Sequence, residues 1–171
     1  MMIETQRLIL REMSQADLPD LKAMLQNPKV MYAYEHDFTD KDAQEWLDRQ
    51  RRRYHTDGFG LWAMVLKETG EMIGQAGLSL QAYQEDQVLE IGYLLKENAW
   101  HHGYAREAAE ACKEYAFEVL QQDQVCSIIH PDNHASIKVA ESIGMTKLAE
   151  FISSYYNGDQ LQHLYGINRP L

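Results

Sequence analysis

The sequence predicts a mixed α/β domain, and the order of its segments carries this prediction. Strand-like and helix-like patterns follow one another as β-α-α-β-β-β-α-β-α-β-β. Two helices each follow a single strand, as in crossovers between parallel strands, while the flanking strands form hairpins typical of antiparallel pairing. We therefore expect one domain over residues 1–171, with a mixed, mostly antiparallel sheet of about seven strands and about four helices.

The first part of the chain combines one strand with two helices. In residues 7–12 leucines occupy alternate positions, which indicates a strand. Residues 14–17 have the pattern of a capping box, leucines follow at helical spacing, and Pro28 ends this helix. Thr39 can cap the second helix. The inner face of that helix would carry Ala43, Trp46, Leu47 and Tyr54.

The middle of the chain contains three strands and a helix. Residues 60–81 form two strand patterns joined by a turn at residues 68–70, and residues 87–96 form a third. Helical spacing follows over residues 103–120. The apolar face of this helix would comprise Ala105, Ala108, Cys112, Ala116 and Val119.

The end of the chain predicts a second crossover and a hairpin. The nearly all-apolar segment 125–130 indicates a strand that is buried on both faces. Asn133 can cap a helix that Gly144 ends. Asn157 and Gly158 lie between two strand patterns, which is the strongest short-range signal for a hairpin.

The composition indicates a globular protein that does not bind nucleic acid. Apolar residues make up 45% of the chain, charged residues 25%, and the formal net charge is −10. A nucleic-acid interface needs a basic face, which this balance disfavours. Residues 49–54 form the one basic cluster and are interpreted as a solvated helix end. The overall negative charge could attract a cationic substrate.

Cysteine usage and hydropathy indicate a cytoplasmic protein. Cys112 and Cys126 both have apolar neighbours, as expected of buried free thiols in a reducing compartment. The longest apolar run, residues 61–66, is much shorter than a membrane span. The first residues lack the basic-then-apolar layout of a secretory signal.

The segment WHHGYAREAA, residues 100–109, has features of an anion-binding loop. Gly103 lies where a loop leads into a helix, whose first N–H groups are unpaired and lie at the positive end of the helix dipole. A phosphate or pyrophosphate fits this position, the glycine permits close backbone approach, and Arg106 could reach the anion. The alternative is an ordinary helix start.

A histidine metal site is a weaker alternative. His101 and His102 are adjacent and therefore point in different directions, and Pro131 separates His130 from His134. Neither a CxxC nor an HExxH spacing occurs. These histidines are interpreted as loop residues, and no metal is predicted.

Two longer segments resemble a known family. EIGYLLKENAWHHGYAREAAEACKEYAFE, followed by HPDNHASIKVAESIGM, is similar to the GNAT superfamily of acetyl-CoA-dependent N-acetyltransferases. The closer similarity is to the RimJ/RimL group, which acetylates protein N-termini, and it extends over essentially the whole chain. Its most specific parts are W-x-x-G-Y-A-x-E-A and N-x-x-S-x-x-x-x-E-x-x-G-M.

The resemblance implies a splayed pair of parallel strands with coenzyme A between them. Residues 100–106 would hold the pyrophosphate through backbone N–H groups, Asn133 would contact the pantetheine arm, and Ser136 would lie near the thioester sulfur. The complete set expected to bind the cofactor is Ile91, Tyr93, Leu94, Leu95, Trp100, His101, His102, Gly103, Tyr104, Ala105, Arg106, Asn133 and Ser136.

Two side chains are candidates for proton transfer. Glu90 is the predicted general base, directly or through water, because it lies at the entrance to the splayed strand; the alternative is a sheet-edge or salt-bridged carboxylate. Ser136 is the predicted proton donor to the departing thiolate, and the alternative is that Asn133 and Ser136 only cap a helix. Backbone N–H groups near Leu94 and Leu95 could stabilise the oxyanion.

The acceptor is expected to be a primary amine. The leading acceptor is a protein N-terminus, and the alternatives are a small amine, such as a polyamine, amino sugar or drug, or a non-catalytic acyl-CoA-binding domain. Glu35 could attract a cationic acceptor, and the protein would be a monomer or homodimer. Candidate acceptor-binding residues between the first two helices are Tyr32, Tyr34, Glu35 and His36, joined near the last hairpin by Tyr155, Tyr156 and Tyr165.

Overall fold

The computed structural model describes residues 2–155 and 158–171. Its strands are β1 (Met2–Glu4), β2 (Leu8–Arg11), β3 (Leu61–Leu66), β4 (Met72–Tyr83), β5 (Asp86–Leu95), β6 (Gln124–Ile129), β7 (Thr146–Tyr155) and β8 (Gly158–Asn168). Its α-helices are α1 (Leu18–Leu25), α2 (Pro28–Met31), α3 (Asp40–Thr56), α4 (Tyr104–Glu118) and α5 (His134–Ser142).

All strands in the described residues form one sheet in the order β1-β2-β3-β4-β5-β6-β8-β7. Neighbouring strands are antiparallel except β5 and β6, which are parallel and connected through α4. The predicted mixed, mostly antiparallel sheet is confirmed. The described residues contain eight strands and five α-helices, where about seven and about four were expected.

The two additional elements are short. β1 has three residues and pairs with β2 at the edge of the sheet. α1 ends before Pro28, as predicted, but Pro28 then begins α2, a single helical turn. The cause is local, since Asn27 Oδ1 accepts a hydrogen bond from Lys29 N at 3.0 Å and proline suits a first helical position.

Helices cover both faces of the sheet and divide the core in two. On the α1 and α3 side, the predicted inner face of α3 is confirmed for Ala43, Trp46 and Leu47, which are buried. Tyr54, the fourth predicted residue, is half-buried and packs against the other core cluster. Trp62 is fully buried on the opposite side, beneath α4 and α5. Burying these apolar faces is the main source of the stability of the fold. Other core residues beneath α4 and α5 are Leu8, Leu10, Leu78, Ile91, Ala140 and Met145.

The predicted apolar face of α4 is correct except at its end. Ala108, Cys112 and Ala116 are fully buried against the sheet, and the small side chains allow close packing of helix on strand. Val119 is 61% exposed, because α4 ends one residue earlier and Val119 is the capping residue. Its assignment to the buried face was wrong.

The cysteines are buried free thiols, as predicted. Burial raises the pKa of the Cys112 thiol to about 12 and that of Cys126 to about 11, so both stay protonated at neutral pH. None of the helices within residues 2–155 and 158–171 has the length and apolar character needed to cross a membrane.

The last two strands form the expected antiparallel pair. Gly144, with φ of +96°, follows α5 in the left-handed conformation predicted for a helix end. Tyr165 is buried in the core rather than on the surface of a groove. Tyr156 and Asn157 lie outside the described residues, as does the side chain of Tyr155.

Candidate active site

The parallel strands β5 and β6 separate beside Glu90. The two strands pair at Glu90 of β5 and Cys126 of β6. One residue further on, Ser127 Oγ donates a hydrogen bond to the Ile91 carbonyl at 2.8 Å. The Ile128 N–H then donates to Glu90 Oε2, also at 2.8 Å. Side chains thus replace backbone pairing where the strands diverge, which leaves the edges beyond this point free for a ligand.

A cleft of about 110 Å³ lies between the separated strands. Gly92 lines it without contributing a side chain. Leu95 does not line it and is buried in the core, so Leu95 can act there only through its backbone. The predicted cofactor-binding residues that line the cleft are Ile91, Tyr93, Leu94, Asn133 and Ser136.

A larger cavity of about 810 Å³ adjoins this cleft. Residues of α3, β4, β5 and β7 enclose it. Glu90, Gly92, Tyr93 and Leu94 line both the cleft and the cavity. The Glu90 carboxyl therefore lies where the two spaces meet, within reach of a ligand in either one.

The surroundings of Glu90 adjust its ionisation. The side chain is half-buried, and its removal from water raises the pKa of the carboxyl to about 7. The hydrogen bond from Ile128 N and the positive charge of Arg53 act against this rise. A carboxyl with a pKa near neutrality can accept and release a proton at physiological pH. β5 is an interior strand, so the alternative position at a sheet edge is not observed.

The beginning of α5 presents two predicted residues to the cleft. Asn133 Oδ1 accepts hydrogen bonds from Ser136 N at 3.2 Å and from the Tyr32 hydroxyl at 3.0 Å. The Ser136 carbonyl accepts a hydrogen bond from the Tyr93 hydroxyl at 2.8 Å. Asn133 is thus a helix cap, and it lines the cleft as well. A capping role and a ligand-binding role are compatible here.

Residues 100–106 form the turn that begins α4. Gly103 has a φ of +80° and His101 a φ of +65°, and these left-handed conformations direct the chain into the helix. The Trp100 indole N–H donates to the Leu95 carbonyl at 3.2 Å, which ties the turn to the end of β5. The N–H groups at the start of α4 have no acceptor within the helix. They belong to Tyr104, Ala105 and Arg106.

An ionic cluster holds this turn against the N-terminal segment. Glu107 Oε2 accepts from Arg7 Nε at 2.7 Å, and Oε1 accepts from Thr5 Oγ1 at 2.9 Å and Arg7 N at 2.8 Å. Arg7 Nη1 also donates to the His102 carbonyl at 2.8 Å, and its guanidinium lies 4.4 Å from the centre of the Tyr104 ring. Sequence patterns do not reveal this cluster, because its members are about 100 residues apart.

One of the four predicted acceptor-binding residues lies at the larger cavity. Tyr34 lines it, and its ring packs edge-on against Trp46 with centroids 6.0 Å apart. Tyr32, Glu35 and His36 instead line a surface pocket of about 220 Å³. Their role toward an acceptor stays a prediction. Their polar contacts are with Asn133, Gln160 and Asp42, respectively.

The basic cluster of α3 was predicted to be a solvated helix end, and this is correct for only part of the cluster. Arg51 and Arg52 are exposed. Arg49 and Arg53 are half-buried and line the larger cavity. Their spacing of four residues, on the helix edge beside Trp46, is the signal that could have identified them.

The histidines do not form a metal cluster in the described part of the chain. No group of three or more His, Cys, Asp or Glu side chains there is arranged to hold an ion. His102 stacks on Tyr104 with ring centroids 5.4 Å apart, and His101 is exposed. His130 Nδ1 accepts from Asp132 N at 3.1 Å.

The site thus combines an opened parallel strand pair, a helix that begins at a glycine turn and a carboxyl with a pKa of about 7 that borders two cavities. The chain belongs to the GNAT acetyltransferase domain family, whose profile matches residues 7–146. The family match identifies the protein as an acyltransferase. Acetyltransferases of this family use acetyl-CoA. The resemblance noted from the sequence is thereby confirmed.

Relatives and solved structures agree with this assignment. The chain is 39% identical over 142 residues to the uncharacterized protein YkkB of Bacillus subtilis, covering 82% of this chain and 83% of YkkB. It is 31% identical over 145 residues to the uncharacterized N-acetyltransferase p20 of Bacillus licheniformis, covering 84% and 81%.

The fold is shared with solved acetyltransferases. An acetyltransferase from Agrobacterium tumefaciens superposes with a TM-score of 0.81 at 28% identity, over 99% of this chain and 95% of that one. RimL, an α-N-protein acetyltransferase of ribosomal L7/L12 solved with coenzyme A, superposes with a TM-score of 0.78 at 17% identity, over 98% of both chains. At that identity RimL supports the fold alone.

Proposed function

We propose that this protein transfers an acetyl group from acetyl-CoA to a primary amine by direct attack in a ternary complex, and that the leading acceptor is a protein N-terminal α-amine. The position of Glu90 carries the proposal. Its carboxyl borders both the strand cleft and the larger cavity, so cofactor and acceptor can meet beside it. Buried free thiols support a cytoplasmic location.

The residues of the cleft fit coenzyme A. The free strand edges beyond Glu90 suit an extended arm that carries amide groups, and Asn133 and Ser136 offer polar atoms beside them. The turn at Gly103 suits a pyrophosphate, because unpaired N–H groups and the positive helix end point toward it. The Arg7 guanidinium, paired with Glu107, holds this turn in place through the His102 carbonyl.

The chemistry requires two proton movements. Acetyl-CoA supplies the acetyl group as a thioester. Glu90 accepts the proton that the amine nitrogen loses as the new C–N bond forms. Ser136 donates its hydroxyl proton to the sulfur as the C–S bond breaks. The serine then regains a proton from solvent, and Glu90 releases its proton to solvent. With a pKa near 7, Glu90 is substantially ionised, as a base must be, at neutral pH.

An α-amine is the acceptor that this site can deprotonate most easily. Its pKa of about 7.7 to 8.0 lies close to that of Glu90, whereas a lysine amine at about 10.4 is much less often neutral. The 810 Å³ cavity has room for the first residues of a peptide. Small amines are the second candidate class.

Thiol release measured with a panel of N-terminal peptides and small amines tests the proposal. We expect release that depends on the acceptor, with a mass increase of one acetyl group on a peptide α-amine. Glu90→Gln should reduce turnover strongly, and Glu68→Gln, in an exposed turn far from the cavity, should not. Cofactor binding without acceptor-dependent release across the panel would contradict the proposal.

A serine pair separates catalysis from simple cofactor binding. Ser136→Ala should lower turnover more than cofactor affinity, because the hydroxyl acts on the leaving group. Ser142→Ala is the matched control, since Ser142 is exposed at the far end of the same helix and donates to the Val139 carbonyl at 2.7 Å. Equal turnover in both variants would contradict the role of Ser136.

A further inference from the structure

The larger cavity has two electrostatic poles. Glu90 is its one carboxylate among the described lining residues, and it lies at the boundary with the strand cleft. Arg49 and Arg53 are the two cations of this lining. They project from successive turns of α3, so they form one positive pole within a protein whose net charge is −10.

Both guanidiniums keep most of their hydrogen-bonding capacity. Within the described residues, the Arg53 side chain makes one hydrogen bond, which Nη1 donates to Gln50 Oε1 at 3.2 Å. Arg49 lies over the Trp46 ring at 5.7 Å and has no side-chain hydrogen bond there. Since a guanidinium has five N–H donors, four of those on Arg53 have no protein acceptor within the described residues.

No carboxylate neutralises the pair at close range. Within residues 2–155 and 158–171, neither Arg49 nor Arg53 takes part in an ion pair. Asp57 and Glu90 act on Arg53 only through longer-range attraction. Loss of water and repulsion by Arg49 lower the pKa of Arg53, which is the expected effect on a cation without a counter-ion. A half-buried cation pair of this kind is stabilised by a bound anion.

We infer that the acceptor carries a carboxylate near its reactive amine, with the amine at Glu90 and the carboxylate held by Arg49 and Arg53. The parallel N–H groups of a guanidinium match the two oxygens of a carboxylate, and two guanidiniums together fix the position of the carboxylate. This inference rests on the proposed function and narrows its acceptor. It also replaces the expectation of a cationic acceptor attracted by overall charge, because the charge that faces the ligand here is positive.

The class includes two kinds of acceptor. One is a peptide whose N-terminal residue is followed by Asp or Glu, so that an acidic side chain lies near the α-amine. The other is a free amino acid, whose own α-carboxylate lies near the α-amine. In both, binding the carboxylate orients the amine toward Glu90, which lowers the entropic barrier to transfer.

Matched acceptor pairs test the inference. The peptides Ser-Asp-Ala-Ala amide and Ser-Asn-Ala-Ala amide differ in one carboxylate, as do methionine and methioninamide. Each kcat/KM is referred to the neutral amine, because a carboxylate raises the pKa of a neighbouring ammonium group. We expect kcat/KM to favour the carboxylate member of at least one pair by about tenfold or more. The pair that discriminates identifies the source of the carboxylate. Equal kcat/KM within both pairs would overturn the inference and leave the proposed function standing, whereas no transfer to any amine would overturn both.

Charge-matched variants locate the preference. Arg49→Gln/Arg53→Gln should reduce the discrimination to about threefold or less, mainly through a higher KM for the acidic member. Arg51→Gln/Arg52→Gln removes the same charge from exposed positions of α3 and should retain the discrimination between the acceptors. A preference that survives in the first double variant would overturn the assignment to these arginines. Should that variant fail to fold, the wild-type comparison still decides whether a carboxylate is required.

Discussion

The Ile128 N–H donates to the Glu90 carboxylate at 2.8 Å, across the point where β5 and β6 separate. In a continuous sheet this N–H would bind a backbone carbonyl of the neighbouring strand. Here the Glu90 side chain takes that place, and Glu90 lines both the cleft and the larger cavity. This one hydrogen bond therefore connects the separation of the strands with the residue proposed as the base.

Glu90 should make the stability of the protein depend on pH. Its folded pKa of about 7 exceeds the ordinary value of 4.5, so the stability it contributes is fully present below pH 4.5 and is lost as the pH rises through 7. Relative to Glu90→Gln, the wild-type free energy of unfolding should fall on the order of 2 to 3 kcal/mol between pH 5 and 8. Urea denaturation at both pH values measures this. A difference between wild type and variant that stays constant would contradict the raised pKa.

The turn at Gly103 should be needed for cofactor affinity. Gly103→Ala adds a Cβ at a φ of +80°, and we expect the Kd for coenzyme A to rise by about tenfold because a methyl group would lie where the pyrophosphate approaches the backbone. Gly70→Ala is the control, since Gly70 has a φ of +75° and open space around its Cα. Both variants share a backbone strain of about 1 kcal/mol. Equal Kd values by titration calorimetry would argue against a pyrophosphate at this turn.

The cluster around Glu107 should stabilise both the fold and the turn. Glu107→Gln weakens the contacts to Arg7 and Thr5, and we expect the free energy of unfolding to drop by about 1 kcal/mol, since Arg7 is partly exposed to solvent. Coenzyme A affinity should fall with it, because Arg7 also holds the His102 carbonyl. In the control Glu110→Gln, which removes a surface pair with Lys113, both quantities should barely change. Identical behaviour of the two variants would refute the special role of Glu107.

Local sequence patterns predicted the parts of the site whose conformation depends on a few residues close together in the sequence. The turn at Gly103 and the cap at Asn133 follow from residue types that backbone conformation and helix ends require. The crossovers predicted the parallel pair, because a helix between two strands permits that pairing. The extent of β4 and β5 was less predictable, since Tyr83 and Asp86 pair beyond the ends of the strand patterns predicted at residues 60–81 and 87–96.

Tertiary contacts decide what the sequence left open. Arg7 and Glu107 meet across about 100 residues, and periodicity carries no information on that distance. Arg49 and Arg53 were grouped with their exposed neighbours because charge runs usually face solvent. Only the packing of α3 against the sheet shows that these two border a cavity. The same packing places Tyr34 at that cavity, but not Tyr32 or His36.

The pH profile of acceptor-dependent thiol release, for wild type and Glu90→Gln, tests the role of Glu90 most directly. With a peptide α-amine as acceptor, wild-type kcat/KM should rise with pH under the control of two groups, Glu90 near pH 7 and the amine near about 8. Glu90→Gln should lower kcat/KM by about a hundredfold and retain only the rise due to the amine. An undiminished variant with the wild-type profile would show that Glu90 is not the base.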